Sequence, residues 1–277
     1  MPPNDATAGF SLVCDGRSDA VIVTAANPTP SAMLAALELQ HHIEKVTGVV
    51  VPMRDDRDVS ENRPLVLVGE SEATRRRGLL GDDFEPQEYL IRSEPQTLVL
   101  MGRDWLDTPE NRREAGRGTN YMTLEESRHV VDYAAATGRQ AHSANGSDRL
   151  RLPGLFDDQG TCYATYDFLE RYCGVRWYGP TELNVVAPRR ADLTIPVGEV
   201  RRSPAMKYRE GLGGGWPLLD DQWNHATADQ RNLYWRRLRV GGERWGGNHS
   251  FRSYYDRFLR PNPDAPELFE EERLDYF

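Results

Sequence analysis

The stretch Gly160-Thr-Cys-Tyr-Ala-Thr-Tyr-Asp-Phe-Leu-Glu-Arg-Tyr-Cys-Gly-Val-Arg-Trp-Tyr-Gly-Pro180 constrains this chain most, because it switches from a helical to an extended pattern across a single glycine. Tyr163, Ala164, Phe168, Leu169 and Tyr172 recur at three- and four-residue steps and so share one helical face. Gly174 stands where a left-handed helix end calls for a residue without a side chain. Val175 to Tyr178 then reads as an aromatic strand.

Upstream, Ser11 to Cys14 and Ala20 to Thr24 are short strand-like runs around the turn Asp15-Gly16-Arg17-Ser18, which predicts a hairpin or paired edge. Pro30-Ser31 opens a helix with serine as its expected cap, Leu34, Leu37, Leu39, Ile43 and Val46 as its apolar positions, and Gly48 as its end. Val49 to Met53 and Leu65 to Val68 suit buried strands, and Tyr89 to Arg92 with Thr97 to Met101 form a second pair. Residues 103–159 are polar and read as an insertion. Within it Thr123 and Glu126 make a capping box that predicts a helix over Leu124 to Ala136. Leu193 to Pro196 and Met206 to Arg209 are strand candidates, the connector Arg201-Arg202-Ser203-Pro204 marks a domain boundary, and a helix is expected from Ala228 to Arg239.

Composition narrows the function classes. The 277 residues carry a net charge of -9, which repels phosphate backbones and argues against nucleic acid as a partner. No apolar run approaches the roughly 18 residues of a membrane helix, so no membrane partner is expected. Cys14, Cys162 and Cys173 include no Cys-x-x-Cys pair, which argues against a zinc site and a disulfide scaffold. His41-His42 are adjacent on a helix and point in different directions, so they cannot jointly grip a metal. Gly211 to Gly215 lacks the lysine and hydroxyl ending of a phosphate loop and the spacing of a dinucleotide fingerprint, so no cofactor is expected. The start, Met1-Pro-Pro-Asn-Asp-Ala-Thr-Ala-Gly9, lacks a basic, apolar leader, which places the chain as written in the cytoplasm; a different start would admit an extracytoplasmic location.

The words "G-x-x-Y-A-x-Y-D-F-L-E" and "G-V-R-W-Y-x-P" between Gly160 and Pro180 closely resemble the signature of the accessory domain that precedes the catalytic barrel in family-67 alpha-glucuronidases and related glycoside-hydrolase-like proteins. Ala36-Leu37-Glu38-Leu39-Gln40 through Ile43, Lys45 and Thr47-Gly48, then Val68-Gly69, resemble the opening of that domain, and Tyr208-Arg209-Glu210 resembles the words at the entry to the barrel. The resemblance covers roughly residues 10–102 and 160–277. It implies an α/β sandwich, a mixed sheet with helices packed on it, over residues 1–204, followed over 205–277 by the opening portion of a (β/α) barrel. A whole barrel takes about 250 residues, so the chain reads as a fragment.

By that resemblance the chain is the N-terminal part of a carbohydrate-active glycoside hydrolase, with a glycan and the remainder of a barrel as its partners. The resembled enzymes carry their catalytic carboxylates on later barrel strands, so no catalytic residue is assigned and the isolated chain is expected to be inactive. The alternative is a non-catalytic carbohydrate-binding or scaffold module. Four residues are candidates for substrate binding. Arg209 and Glu210 fall at the carboxyl end of the first barrel strand, where an arginine can hold a sugar carboxylate through two parallel bonds; a structural ion pair at the junction is the competing use. Trp216, in a glycine-rich loop, offers a face for stacking on sugar, and His249, in Gly246-Gly-Asn-His-Ser250, offers a hydrogen-bond donor or a plain turn residue.

Overall fold

Aliphatic strands with no polar side dictate the centre of the molecule. The computed structural model describes residues 9–59, 62–106, 108, 128–140, 146, 148–209 and 225–242. β2 (Val21–Thr24) and β4 (Leu65–Val68) are buried along their whole length, and such strands are satisfied only inside a sheet covered on both faces. They sit together in a six-stranded sheet of order β12-β5-β6-β4-β2-β3, completed by β3 (Met53–Asp55), β5 (Tyr89–Glu94), β6 (Thr97–Gly102) and β12 (Gly198–Arg202). β3, β2, β4, β6 and β12 run in one direction; β5 alone is reversed and pairs antiparallel with both β6 and β12. The fold class is thus α/β with a mixed sheet, and no closed barrel is present among the described residues.

Side chains alternate between the two faces. Ile22, Val66, Val68, Ile91, Leu98 and Leu100 join the larger core under α1 (Pro30–Thr47), whereas Val21, Val23, Leu65, Leu67, Leu90, Val99 and Met101 meet Ala73, Leu79 and Phe84 on the other side. The cap of α1 is Thr29, whose hydroxyl accepts from the Ala32 N–H at 3.0 Å, in place of the expected Ser31. Pro30 explains the shift: its fixed φ and missing N–H suit the first helical position, so the cap falls on the residue before it. Gly48 ends the helix at φ 79°, as expected from sequence.

Two pairings depart from the sequence reading. β1 (Phe10–Val13) makes no hairpin with β2; it pairs with β11 (Leu193–Ile195), Phe10 opposite Ile195. β2 needs a partner on each side, and β3 and β4 supply them, which leaves β1 to a separate ribbon. β12 occupies residues expected to form part of the connector and closes the sheet against β5, with Val200 opposite Ile91. Its exposed charges, Glu199, Arg201 and Arg202, blunt this edge. The strand expected over 49–53 begins only at Met53; the Val51 carbonyl is taken by Gln40 and the Pro52 carbonyl by the Ile22 N–H.

In the insertion, β7 (Val130–Asp132) pairs with β8 (Arg149–Arg151), and Asp132 caps the short helix α3 (Tyr133–Thr137) that follows α2 (Glu72–Arg75) in chain order. The helix expected over 124–136 is therefore extended at 130–132, where β-branched Val130 and Val131 favour a strand; its capping box lies outside the described residues. α4 (Gly160–Phe168) widens into one π-helical turn, Leu169–Cys173, and stops at Gly174 with φ 72°. β9 (Arg176–Trp177) then pairs with β10 (Val185–Val186). Beyond residue 204 the described elements are β13 (Tyr208–Arg209), α5 (Ala228–Arg237) and β14 (Gly241–Gly242), with β13 and β14 antiparallel. No helix of the described residues is long and apolar enough to cross a membrane.

α4 meets the sheet through bare backbone. A Cβ on Gly160 would lie 2.4 Å from the Glu88 carbonyl oxygen and 2.9 Å from the Gly102 Cα, and one on Gly102 would lie 2.3 Å from the same oxygen. Gly160→Ala is therefore expected to cost at least about 1–3 kcal/mol through overpacking and to lower the thermal midpoint by several degrees. Gly198→Ala, whose Cβ would meet nothing within 4 Å, leaves the midpoint unchanged in the same calorimetric scan.

Candidate functional site

The residues that close onto the α/β layer from beyond position 204 are arginines, and each finds its acceptors inside that layer. Arg209 on β13 donates through Nε to the Arg239 carbonyl at 2.8 Å, through Nη1 to the Met206 and Lys207 carbonyls, and through Nη2 to Gln87 Oε1 at 2.6 Å and the Tyr163 hydroxyl at 2.9 Å. All five N–H groups of the guanidinium are thereby engaged. Among the described residues its acceptors are neutral, so the cation has geometry but no counter-charge. A sugar carboxylate could bind it only by exchanging with some of these bonds.

α5 carries the next arginines. Its Thr227–Gln230 capping box fixes where the helix starts, and Leu233 and Tyr234 bury its apolar side. Arg236 donates twice to the Pro153 carbonyl, at 3.1 and 2.8 Å, and burial pulls its pKa down to about 10. Arg237 is 1% exposed and grips Glu38, itself wholly buried on α1, through two bonds of 2.8 and 3.0 Å. The Tyr133 hydroxyl donates at 2.8 Å to Glu38 Oε1, the oxygen that takes the 3.0 Å bond from Arg237. Arg237 also reaches Glu182 at 3.2 Å, and the other Glu182 oxygen accepts from Lys45 and from His41 Nε2. Past the helix, Arg239 pairs with Glu170.

Burial would raise the Glu38 carboxyl, but Arg237 and its hydrogen bonds outweigh it and hold the group well below the ordinary carboxylate range. Glu182 is held down likewise, by the hydrogen bond from His41 and by Arg237 and Lys45 against its burial. His42 is fixed in one tautomer: the Trp177 indole can only donate, so His42 Nε2 accepts from it at 3.0 Å, and Nδ1 donates to the Glu38 carbonyl at 2.8 Å. That ring is neutral, and burial pulls its pKa to about 3. Glu38, Glu182 and His42 therefore each keep one protonation state near neutrality.

Asp104, just past β6, behaves differently. Its oxygens accept from the Thr161 N–H at 3.0 Å, in the first turn of α4, and from the Thr29 hydroxyl at 2.8 Å, at the start of α1. Burial raises its pKa to about 6, against the lowering effect of those bonds. A carboxyl tuned in this way could serve as a general acid, but both oxygens are spent on joining two helix starts. The oxygens of buried Asp157 are likewise taken, by Arg128 and the Gly154 N–H. The carboxylates inside the layer are thus structural, and glycoside hydrolysis requires two that face a substrate.

Of the sequence-derived site residues, Arg209 lies at the junction with all its donors engaged, while Glu210, Trp216 and His249 lie outside the described residues. His41 and His42 do diverge, one to Glu182 and one to Trp177. Among the described residues, one group of potential metal-binding atoms occurs, Cys14, Asp15 and Asp192; it is exposed, and Asp192 already accepts from the Asp15 N–H. Sequence reasoning missed the Glu38–Arg237 pair. The signal available was the recurrence of Glu38, His41, His42 and Lys45 at helical spacing within an otherwise apolar pattern.

The sequence matches no family model and no curated protein. Among solved structures it is similar to a family GH115 4-O-methyl-alpha-glucuronidase with specificity for decorated arabinogalactans, at 14% identity and a TM-score of 0.45, over 83% of this chain and 25% of that one. The chain thus spans about a quarter of that neighbour's length.

Breaking the buried pair by Arg237→Met is expected to cost about 3–5 kcal/mol, because Glu38 is left charged and unmatched. The folded-state pKa of Glu38 is depressed, so its contribution is present above the usual carboxylate pKa and is lost as pH falls toward the folded value. Urea midpoints measured from pH 7 downward should show a shallower acid loss in Glu38→Gln than in the unaltered chain.

Proposed function

We propose that this chain is a non-catalytic α/β layer of a carbohydrate-active hydrolase of the alpha-glucuronidase kind, which holds the start of the segment that meets the glycan. The observation that carries this reading is the Arg209 clamp: signature residue Tyr163 and Gln87, in the turn before β5, both receive its guanidinium. The signature residues are spent on construction, with Cys162, Tyr163, Phe168 and Trp177 buried and Gly160 set against the sheet backbone. Their work is to position the chain at residue 209.

In this reading Glu210, the next residue, begins the glycan-facing surface, Trp216 stacks on a sugar ring, and His249 donates to a sugar hydroxyl. The catalytic carboxylates lie outside the described residues. Arg209 acts on the glycan through the backbone it fixes, and its charge favours a uronic acid nearby without a direct bond. A scaffold role and a carbohydrate-binding role are then two aspects of one layer.

The purified chain is expected to release no product from an aryl alpha-glucuronide or from glucuronic-acid-bearing xylan oligosaccharides, and to bind the oligosaccharides with an affinity lost in Trp216→Ala. Turnover by the chain alone would overturn the reading, as would glycan binding indifferent to both Trp216→Ala and Arg209→Gln.

A further inference from the structure

The face of the sheet opposite α1 carries a solvent-open cleft of about 500 Å³ beside β3, lined by Val21, Pro52 and Val59 and by the exposed side chains of Arg54, Arg57, Asp58 and Arg63. Its size falls within the range of small-ligand sites, roughly 300–1,000 Å³. Three of the seven lining residues are arginines, in a chain whose net charge is -9.

The three are not equivalent. Arg57 is neutralised by Asp55 through two parallel bonds of 3.1 and 3.0 Å. Arg54 gives one N–H to the Met53 carbonyl at 2.8 Å, and Arg63 gives one to the Asp19 carbonyl at 3.0 Å. Neither of these two is paired with a carboxylate among the described residues. A guanidinium has five donors, so each keeps four in a fork that suits a carboxylate or phosphate. Asp56 accepts from the Glu72 N–H at 2.8 Å and from neither of these arginines. Among the described residues Asp58 is the one acid in the lining, and a carboxylate can accept from hydroxyl groups. Val21, Pro52 and Val59 supply an apolar wall.

The geometry points to a binding site for a small hydroxylated anion, a sugar acid or a sugar phosphate, with the acid group on Arg54 and Arg63 and a hydroxyl on Asp58. The site stands apart from the Arg209 junction and does not depend on the function proposed above. Because the whole-molecule field is negative, attraction is local, and binding weakens as salt screens it.

Gluconate and glucose 6-phosphate are the probes, followed through the side-chain Nε–Hε resonances of the arginines in the full chain. Both Arg54 and Arg63 signals should shift with a shared dissociation constant, and Arg54→Gln and Arg63→Gln should each weaken it about tenfold or more, the loss of one charge-assisted contact. The altered residues are exposed, so the variants remain folded, and Arg92→Gln, on β5 toward the opposite end of the strand order from β3, leaves the constant unchanged. Saturation by one probe alone supports the site and names the acid group it takes. Binding by neither probe, or binding that survives both cavity substitutions, overturns the inference.

Discussion

A carboxylate with no access to water must be matched inside the protein, and Glu38 imposes that requirement on the rest of this fold. It sits wholly buried on α1, and an unpaired charge there would cost several kcal/mol. Arg237 supplies the match and Tyr133 the remaining hydrogen bond, so α5 and the insertion that carries α3 are both bound to the central layer. Apolar packing alone would tolerate sliding between these elements. A bidentate pair fixes them in register.

The same logic extends outward. Burial keeps His42 neutral, and the bond Trp177 donates to its Nε2 fixes the tautomer and ties β9 to α1. Glu182 gathers Arg237, Lys45 and His41 at the rim of the cluster, where its half-buried position lets water share the burden. The signature between Gly160 and Pro180 therefore lies between two clamps, the Glu38 cluster on one side and Arg209 on the other. Tyr163 faces the second and Trp177 the first.

How far the sequence predicted this depended on how near in the chain the determining residues stand. α1 with its terminal Gly48, the β5–β6 pair and the α4 stop at Gly174 are written within a few residues each, in apolar spacing and glycine placement. β12 escaped notice because Gly198-Glu-Val-Arg-Arg202 is an exposed edge strand whose polar residues look like loop. Of the hairpin or paired edge expected around Asp15-Gly16, the paired edge forms, with β11 as the partner, because turn chemistry is local while the demand of β2 for two neighbours is not. At the junction, Arg209 was legible from its neighbouring words, but Gln87 and Tyr163 hold it from 122 and 46 residues away. No spacing rule reaches across such distances.

The separation of Glu38 from Arg237 also has a meaning in time. They stand 199 residues apart, and at a synthesis rate of about 5–20 residues per second the glutamate waits roughly 10–40 s on the ribosome for its partner. Throughout that interval the inner face of α1 cannot close without stranding a charge, so it must remain wet or be shielded by another protein. The order of assembly follows: the parallel strands and α1 gather first around an unsealed face, β12 completes the sheet next, and the arrival of α5 drives out the last water. A ribosome pausing before residue 237 would leave exposed a charged seam in an otherwise finished core.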